Sequence, residues 1–166
     1  MSRRQALDFA ERSAGWLATR IAKREERIVL TPGATLPLRG ELHEIRHVPV
    51  RRGTIMVEPL TKLIHVPGDL PHVARRLTDW LKLVAREDLT EASRRHAAAM
   101  GVTFRRLTVR DQKSRWGSCS ASGDLSYSWR LVLAPPDILD YVAAHEVAHL
   151  RHMNHGPQYW RLVLRH

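Results

Sequence analysis

The sequence predicts a single α+β domain in which a small sheet packs against helices. Apolar residues recur every three or four positions at 5–23 and at about 71–101, which is the period of amphipathic helices. Short runs rich in β-branched residues lie between these two segments and again at 103–133, separated by glycine and proline turns. A further helix is expected after the Pro135-Pro136 pair. At 166 residues the chain is long enough for one domain with a real core.

The region between the first two predicted helices is expected to form a small meander or a set of hairpins. Its predicted strands are 28–30, 42–50, 54–57 and 63–66. Pro37 is expected in one of the turns between them. Three histidines alternate with apolar residues on these strands, namely His43, His47 and His65. Their spacing does not match a metal site, so we expect ordinary side chains on the polar face.

The long second helix should bury one stripe and expose the other face. Its exposed face mixes arginine and lysine with aspartate and glutamate, which favours a solvated surface over a track for phosphates. A second set of strands is expected at 103–109 and along 116–133, with a turn at Ser122-Gly123-Asp124. Asp137, just after the proline pair, suits the first turn of the following helix.

That following helix carries the chemistry that the sequence predicts. His145 and His149 lie four residues apart, so on a helix both imidazoles face the same way and can bind one metal ion. Glu146 stands beside the first of them, as in the HExxH pattern of two zinc ligands and a general base. The rest of the helix is apolar on nearly every side, and buried polar groups need a partner such as a metal.

A catalytic zinc takes three protein ligands and leaves a position for water. His155 is the strongest candidate for the third, because 153–154 resembles a helix end and Gly156-Pro157 a turn into another helix. A chain that reverses there could bring His155 over the same ion. The sequence therefore predicts a metal-dependent hydrolase.

Composition and charge indicate which partners and which cellular compartment to expect for this site. The formal net charge is +10, which favours anionic partners such as nucleic acid or nucleotides, although solvated basic faces would explain it equally well. No apolar run approaches the roughly 20 residues that span a bilayer, so we expect no membrane segment. With Cys119 as the single cysteine, no internal disulfide can form, and we expect a cytoplasmic protein.

Several motifs together resemble the YgjP-like zinc metallopeptidases, bacterial zincins related to the SprT-like and Wss1-like proteins. The motifs are 111–120 (DQKSRWGSCS), 129–136 (WRLVLAPP), Tyr141-Val142, His145-Glu146 with His149, Asn154-His155 and Tyr159-Trp160. They cover about 50 residues, and the first hundred residues match only in general organisation. Ser128 stands where the family usually has asparagine. Relatives usually begin with a further hairpin and extend beyond the position of His166.

The resemblance implies a minimal zincin fold, with a small mixed or antiparallel sheet packed on the HExxH helix and further helices. It divides the single domain, 1–166, into an N-terminal part at 1–101 and a catalytic core at 102–166. It also implies that Zn²⁺ is bound by His145, His149 and His155 and that Glu146 activates water for peptide hydrolysis. The stretch Trp116 to Ser120, or its neighbour, would be the edge strand that presents a peptide or protein substrate. The residues considered for stabilising the transition state or contacting substrate are Arg115, Tyr127, His152 and Tyr159.

Three other functions remain compatible with the sequence. A metal-activated water could attack a phosphoanhydride, and a basic protein would attract nucleotides. The basic surface could instead recruit a SprT-like protease to nucleic acid. The metal could also be purely structural.

Overall fold

The computed structural model describes residues 29–112 and 115–165. The helix predicted at 5–23 lies outside the described residues. Within them, helices and two small sheets are mixed along the chain, which confirms the predicted α+β class. No helix in the described part of the chain is long and apolar enough to cross a membrane.

The first sheet is formed by four strands of the described chain in the order β1-β2-β4-β3. The strands are β1 Thr35–Leu38, β2 Glu41–Val48, β3 Met56–Glu58 and β4 Leu63–Pro67. β1 pairs with β2 and β3 with β4 in antiparallel hairpins, whereas β2 and β4 are parallel. The predicted set of hairpins therefore agrees with the two antiparallel pairs, whereas the alternative of a meander is wrong, because the chain after β2 crosses to the far edge and returns through β4.

Three local predictions in this region are also wrong. Residues 29–30 do not form a strand, and β1 instead includes Pro37, which was expected in a turn. A proline is tolerated there because β1 lies at the sheet edge, where a backbone N–H is not needed. Pairing is favoured by burial of Leu36 and Leu38. His43 is also buried rather than polar-facing, and its Nδ1 donates to the carbonyl oxygen of Glu41 at 2.8 Å.

The long predicted helix is α1, Val73–Met100, and a short 3-10 turn at Leu70–His72 leads into it. Its buried stripe extends the predicted one, with Leu77, Leu81 and Leu89 fully buried. The helix ends where Gly101 adopts a left-handed conformation at φ 65°, as the glycine position suggests.

The second sheet contains β5 Arg106–Arg110, β6 Gly117–Cys119 and β7 Asp124–Ser128. The described strands are ordered β5-β7-β6, with β5 parallel and β6 antiparallel to the central β7. The predicted strand does not continue through Trp129–Leu133, which form a 3-10 helix. Ser128 begins this turn, because its hydroxyl accepts a hydrogen bond from the backbone N–H of Arg130.

The metal-binding motif lies on α2, Pro136–Ala148, and is followed by α3, Pro157–Val163. Asp137 lies in the first turn of α2, as predicted. The helix ends earlier than predicted, since its last residue is Ala148 rather than a residue near 153–154. The backbone N–H groups of Leu150 and Arg151 instead close turns onto residues 147 and 148.

Candidate metal centre

Three imidazoles converge where α2 ends and the chain turns toward α3. His145 lies in the last turn of α2, His149 caps that helix, and His155 precedes α3. One nitrogen from each ring lies within 4.8 Å of the others. The Nε2 atoms of His145 and His155 are 3.2 Å apart. The structure thus brings together the three histidines that the sequence singled out.

This spacing fits a tetrahedral metal ion. Nitrogens that are each about 2.0–2.1 Å from a tetrahedral zinc lie about 3.3 Å from one another. The 3.2 Å between the two Nε2 atoms is close to that value. Nε2 of His145 faces Nε2 of His155 and is therefore the nitrogen that a metal would bind, whereas Nδ1 of His145 is buried without a hydrogen-bond partner among the described residues.

Lowered pKa values keep two of the three imidazoles neutral, so that their ring nitrogens can bind a metal. Burial, with smaller effects of His149 and His155, lowers the pKa of His145 to about 4. Burial also lowers the pKa of His149, and hydrogen bonding only partly opposes it. Neutral imidazole is the form that binds metal, so the site is prepared for an ion at neutral pH.

Hydrogen bonds and ring packing hold two of the ligands in position. Nδ1 of His149 donates to the carbonyl oxygen of His152 at 3.1 Å, which leaves its Nε2 lone pair free to bind a metal. The hydroxyl of Tyr159 donates to the carbonyl oxygen of His145 at 3.0 Å. That carbonyl belongs to the last turn of α2, where the helix no longer satisfies every acceptor. The Tyr159 ring packs against His149 and His155, with centroids 4.6 and 4.7 Å away.

Glu146 lies beside the three histidines and packs against β6. Its side chain is only 7% exposed, and burial raises its pKa to about 7 although the charge of Arg115 acts in the opposite direction. A Cβ atom at Gly117 would lie 2.5 Å from Oε1 and 2.6 Å from Cγ of Glu146. Any side chain larger than hydrogen at position 117 would therefore displace the carboxylate or the strand.

The four candidates for substrate or transition-state contacts differ in position. Tyr127 is fully buried and its hydroxyl bonds to Ser93 at 3.1 Å, so the structure places it in the core. His152 contributes its backbone carbonyl rather than its ring. Tyr159 lies against the three histidines, and its hydroxyl already donates a hydrogen bond to the carbonyl oxygen of His145. Arg115 is exposed near Glu146 and remains available.

Three residues at this site stand in the quoted motifs, but no individual role was predicted for them from the sequence. Tyr141 precedes His145 by one helical turn, and the two ring centroids are 6.0 Å apart; the four-residue spacing could have indicated this. Trp160 is 39% exposed and stacks near His155 at 5.8 Å. The packing of Gly117 on Glu146 has no local signal, because it depends on how β6 and α2 meet.

Cys119, whose thiolate could bind a soft metal, does not belong to the cluster of three. The potential metal ligands in the described chain are the three histidines alone. Burial raises the pKa of the Cys119 thiol to about 11, with a smaller contribution from Glu146. The thiol is therefore protonated at neutral pH and has little nucleophilic character.

Comparison with known proteins gives one finding. A family model described as "YgjP-like, metallopeptidase domain" matches residues 1–166. Searches of curated proteins and of solved structures found no match.

Proposed function

The chain belongs to the YgjP-like metallopeptidase family, and we propose that it is a zinc-dependent peptidase in which Glu146 is the general base. The observation that carries this proposal is the convergence of His145, His149 and His155, with Glu146 next to His145 on α2. Three neutral nitrogen ligands suit zinc and leave a fourth position open. When bound, zinc would supply a Lewis acid that acidifies water and polarises a carbonyl group.

Glu146 performs the proton transfers in this proposal. Its carboxylate accepts a proton from the attacking water and returns that proton to the leaving amine as the peptide bond breaks. A pKa near neutrality suits both transfers, because the group must gain and lose a proton at the same pH. The backbone at Gly117 limits where the carboxylate can lie, so the base is held in one orientation.

The substrate main chain would lie along β6. On one side β6 pairs with β7, and no other described strand pairs with its opposite side. An extended peptide can add there through backbone hydrogen bonds, which recognise an extended conformation more than side-chain identity. Because β6 begins at Gly117, the added peptide would pass close to Glu146.

Replacement of Glu146 by glutamine tests the proposal. We expect Glu146→Gln to retain zinc and to cleave casein or a peptide library about 10²- to 10⁴-fold more slowly than the native chain. Elemental analysis and cleavage rates would be measured on the same samples. Glu44→Gln, on β2, removes the same charge and should leave the rate unchanged.

Nucleoside triphosphates would be assayed beside the peptides. If the native chain released phosphate but cleaved no peptide, and Glu146→Gln abolished that release, the peptidase proposal would be overturned. If the variant retained both zinc and full activity, a structural metal site would explain the results.

A further inference from the structure

The direction of β6 gives the proposed substrate a polarity. Antiparallel pairing is the more stable arrangement, and β6 already pairs in this way with β7. A peptide added antiparallel to the free side of β6 would run from the Cys119 end toward the Gly117 end. Substrate residues that follow the bond nearest Glu146 would therefore approach the chain that precedes Gly117.

Arg115 occupies that position. It lies two residues before Gly117, a distance of about 7 Å in extended chain, and its side chain is exposed. Trp116, between the two residues, forms a bend, so this distance is an upper limit and Arg115 lies close to Gly117, where the strand contacts Glu146. Consistent with this placement, the charge of Arg115 opposes the effect of burial on the Glu146 pKa.

Glu146 is the acidic group whose pKa the charge of Arg115 lowers, and three aspartates pair with other arginines. Asp111 pairs with Arg130, Asp124 with Arg105, and Asp140 with Arg95. The ion pairs found in the described residues do not include Arg115. Within the described part of the chain, a substrate carboxylate would therefore not have to displace an existing ion pair of this guanidinium.

We propose that Arg115 is a specificity-determining residue that binds a substrate carboxylate on the C-terminal side of the cleaved bond. This inference rests on the proposed peptidase function. An arginine suits the role, because its planar guanidinium can form two parallel hydrogen bonds to one carboxylate. The carboxylate is either an acidic side chain or the C-terminus of the peptide itself.

The test compares peptides that differ only in charge at one position. The zinc-loaded native chain would be assayed on peptides with Glu, Gln or Lys at each of three positions after the cleaved bond, each with a free or amidated C-terminus. We expect a preference of about 10- to 100-fold in kcat/KM for the carboxylate-bearing peptide. Improved cleavage with internal Glu indicates a side-chain carboxylate, whereas improved cleavage with the free acid end indicates the C-terminus.

Charge substitutions at Arg115 separate recognition from other roles. Arg115→Gln should remove the preference, Arg115→Lys should retain part of it, and Arg115→Glu should reverse it in favour of lysine peptides. Arg86→Glu, at an exposed position of α1, makes the same change in net charge and should leave the preference intact. Binding of the same peptides to zinc-loaded Glu146→Gln protein, measured by calorimetry, should follow the same order without requiring turnover.

The contrary results are distinguishable from failure of the proposed function. Equal cleavage of charged and neutral peptides by the native chain would overturn the Arg115 inference and leave the peptidase intact. A uniform fall in kcat for every peptide with Arg115→Gln would overturn it too, and would indicate a role in oxyanion stabilisation. No peptide cleavage by the native zinc-loaded chain would overturn both proposals.

Discussion

Two sets of three histidines in this molecule have different surroundings. His43 and His47 in the first sheet donate to separate carbonyl oxygens, and His65 contacts the carboxylate of Glu58 at 3.3 Å. Around α2, by contrast, nitrogens of His145, His149 and His155 lie within 4.8 Å of one another. Each histidine of the first set has its own protein partner, whereas the three histidines of the second set surround one position that a metal ion could occupy.

The difference follows from backbone geometry rather than from residue type. Side chains along a strand alternate between faces, and each strand histidine finds its own acceptor nearby. A helix brings positions 145 and 149 to one face, and the reversal before α3 adds position 155. Three histidines therefore form a candidate metal centre only where a helix and a chain reversal coincide.

Among substitutions that keep the three histidines and Glu146, the largest expected effect comes from Gly117. Gly117→Ala should lower kcat for peptide cleavage by about 10²-fold, because a displacement of about 1 Å in Glu146 disrupts the alignment of reacting groups. Metal content should not change, since position 117 contacts the base and not the ligands. Steady-state kinetics and elemental analysis would measure both quantities.

Ser118→Ala, at the next residue of β6, is the matched control and should retain most of the activity. An unchanged kcat in Gly117→Ala would contradict the close packing of Glu146 on the strand.

A smaller effect is expected from the tyrosine that supports the ligands. Tyr159→Phe keeps the ring against His149 and His155 but removes the hydrogen bond to the carbonyl oxygen of His145. We expect zinc affinity to fall about 10-fold, as for other groups that orient metal ligands, with kcat nearly unchanged at saturating zinc. A competitive chelator titration would measure the affinity. A fall of 10²- to 10³-fold in kcat at saturating zinc would instead identify the hydroxyl as an oxyanion donor.

The smallest expected effect is on thermal stability and concerns a buried histidine that belongs to neither set. Nε2 of His96 on α1 lies 2.8 Å from the carboxylate of Asp140 on α2, and Arg95 pairs with the same group. Burial raises the pKa of Asp140, but the hydrogen bond and charge of His96 and the charge of Arg95 outweigh burial and hold it below 3.8. A lowered pKa stabilises the fold fully above the ordinary value of 3.8, and this contribution disappears as the pH falls through the lowered value.

Asp140→Asn should therefore lower the Tm at pH 7, and the difference from the native chain should shrink as the pH falls from 4 to 2. Circular dichroism melts at several pH values would measure it, with the exposed Asp79→Asn as a control. A difference that grows at acidic pH would contradict the role of this pair.

Features that depend on neighbouring residues were predictable from the sequence, and those that depend on long-range packing were not. The helix over 73–100 and its end at Gly101 follow from periodicity and a glycine cap. The histidine cluster follows from a four-residue spacing and a turn motif. The parallel pairing of β2 with β4 was missed because no local signal specifies which strands become neighbours.

Trp129–Leu133 illustrates the same limit. The run is apolar apart from Arg130 and was predicted as a strand, but it forms a 3-10 helix. Backbone N–H groups of Arg39 and Gly40 bond to the carbonyls of Val132 and Leu133, so a contact with the first sheet competes with strand pairing.

The basic charge of the chain is unexplained by the site, and binding of nucleic acid or nucleotides remains a prediction.

Metal content across the two histidine sets tests the central claim most directly. The native chain and the His65→Gln variant should each bind one zinc ion per chain, whereas His155→Ala should lose most of it. Elemental analysis after dialysis would measure the zinc, and circular dichroism would verify that both variants fold. Zinc at full occupancy in folded His155→Ala would contradict the account and remove His155 from the metal centre.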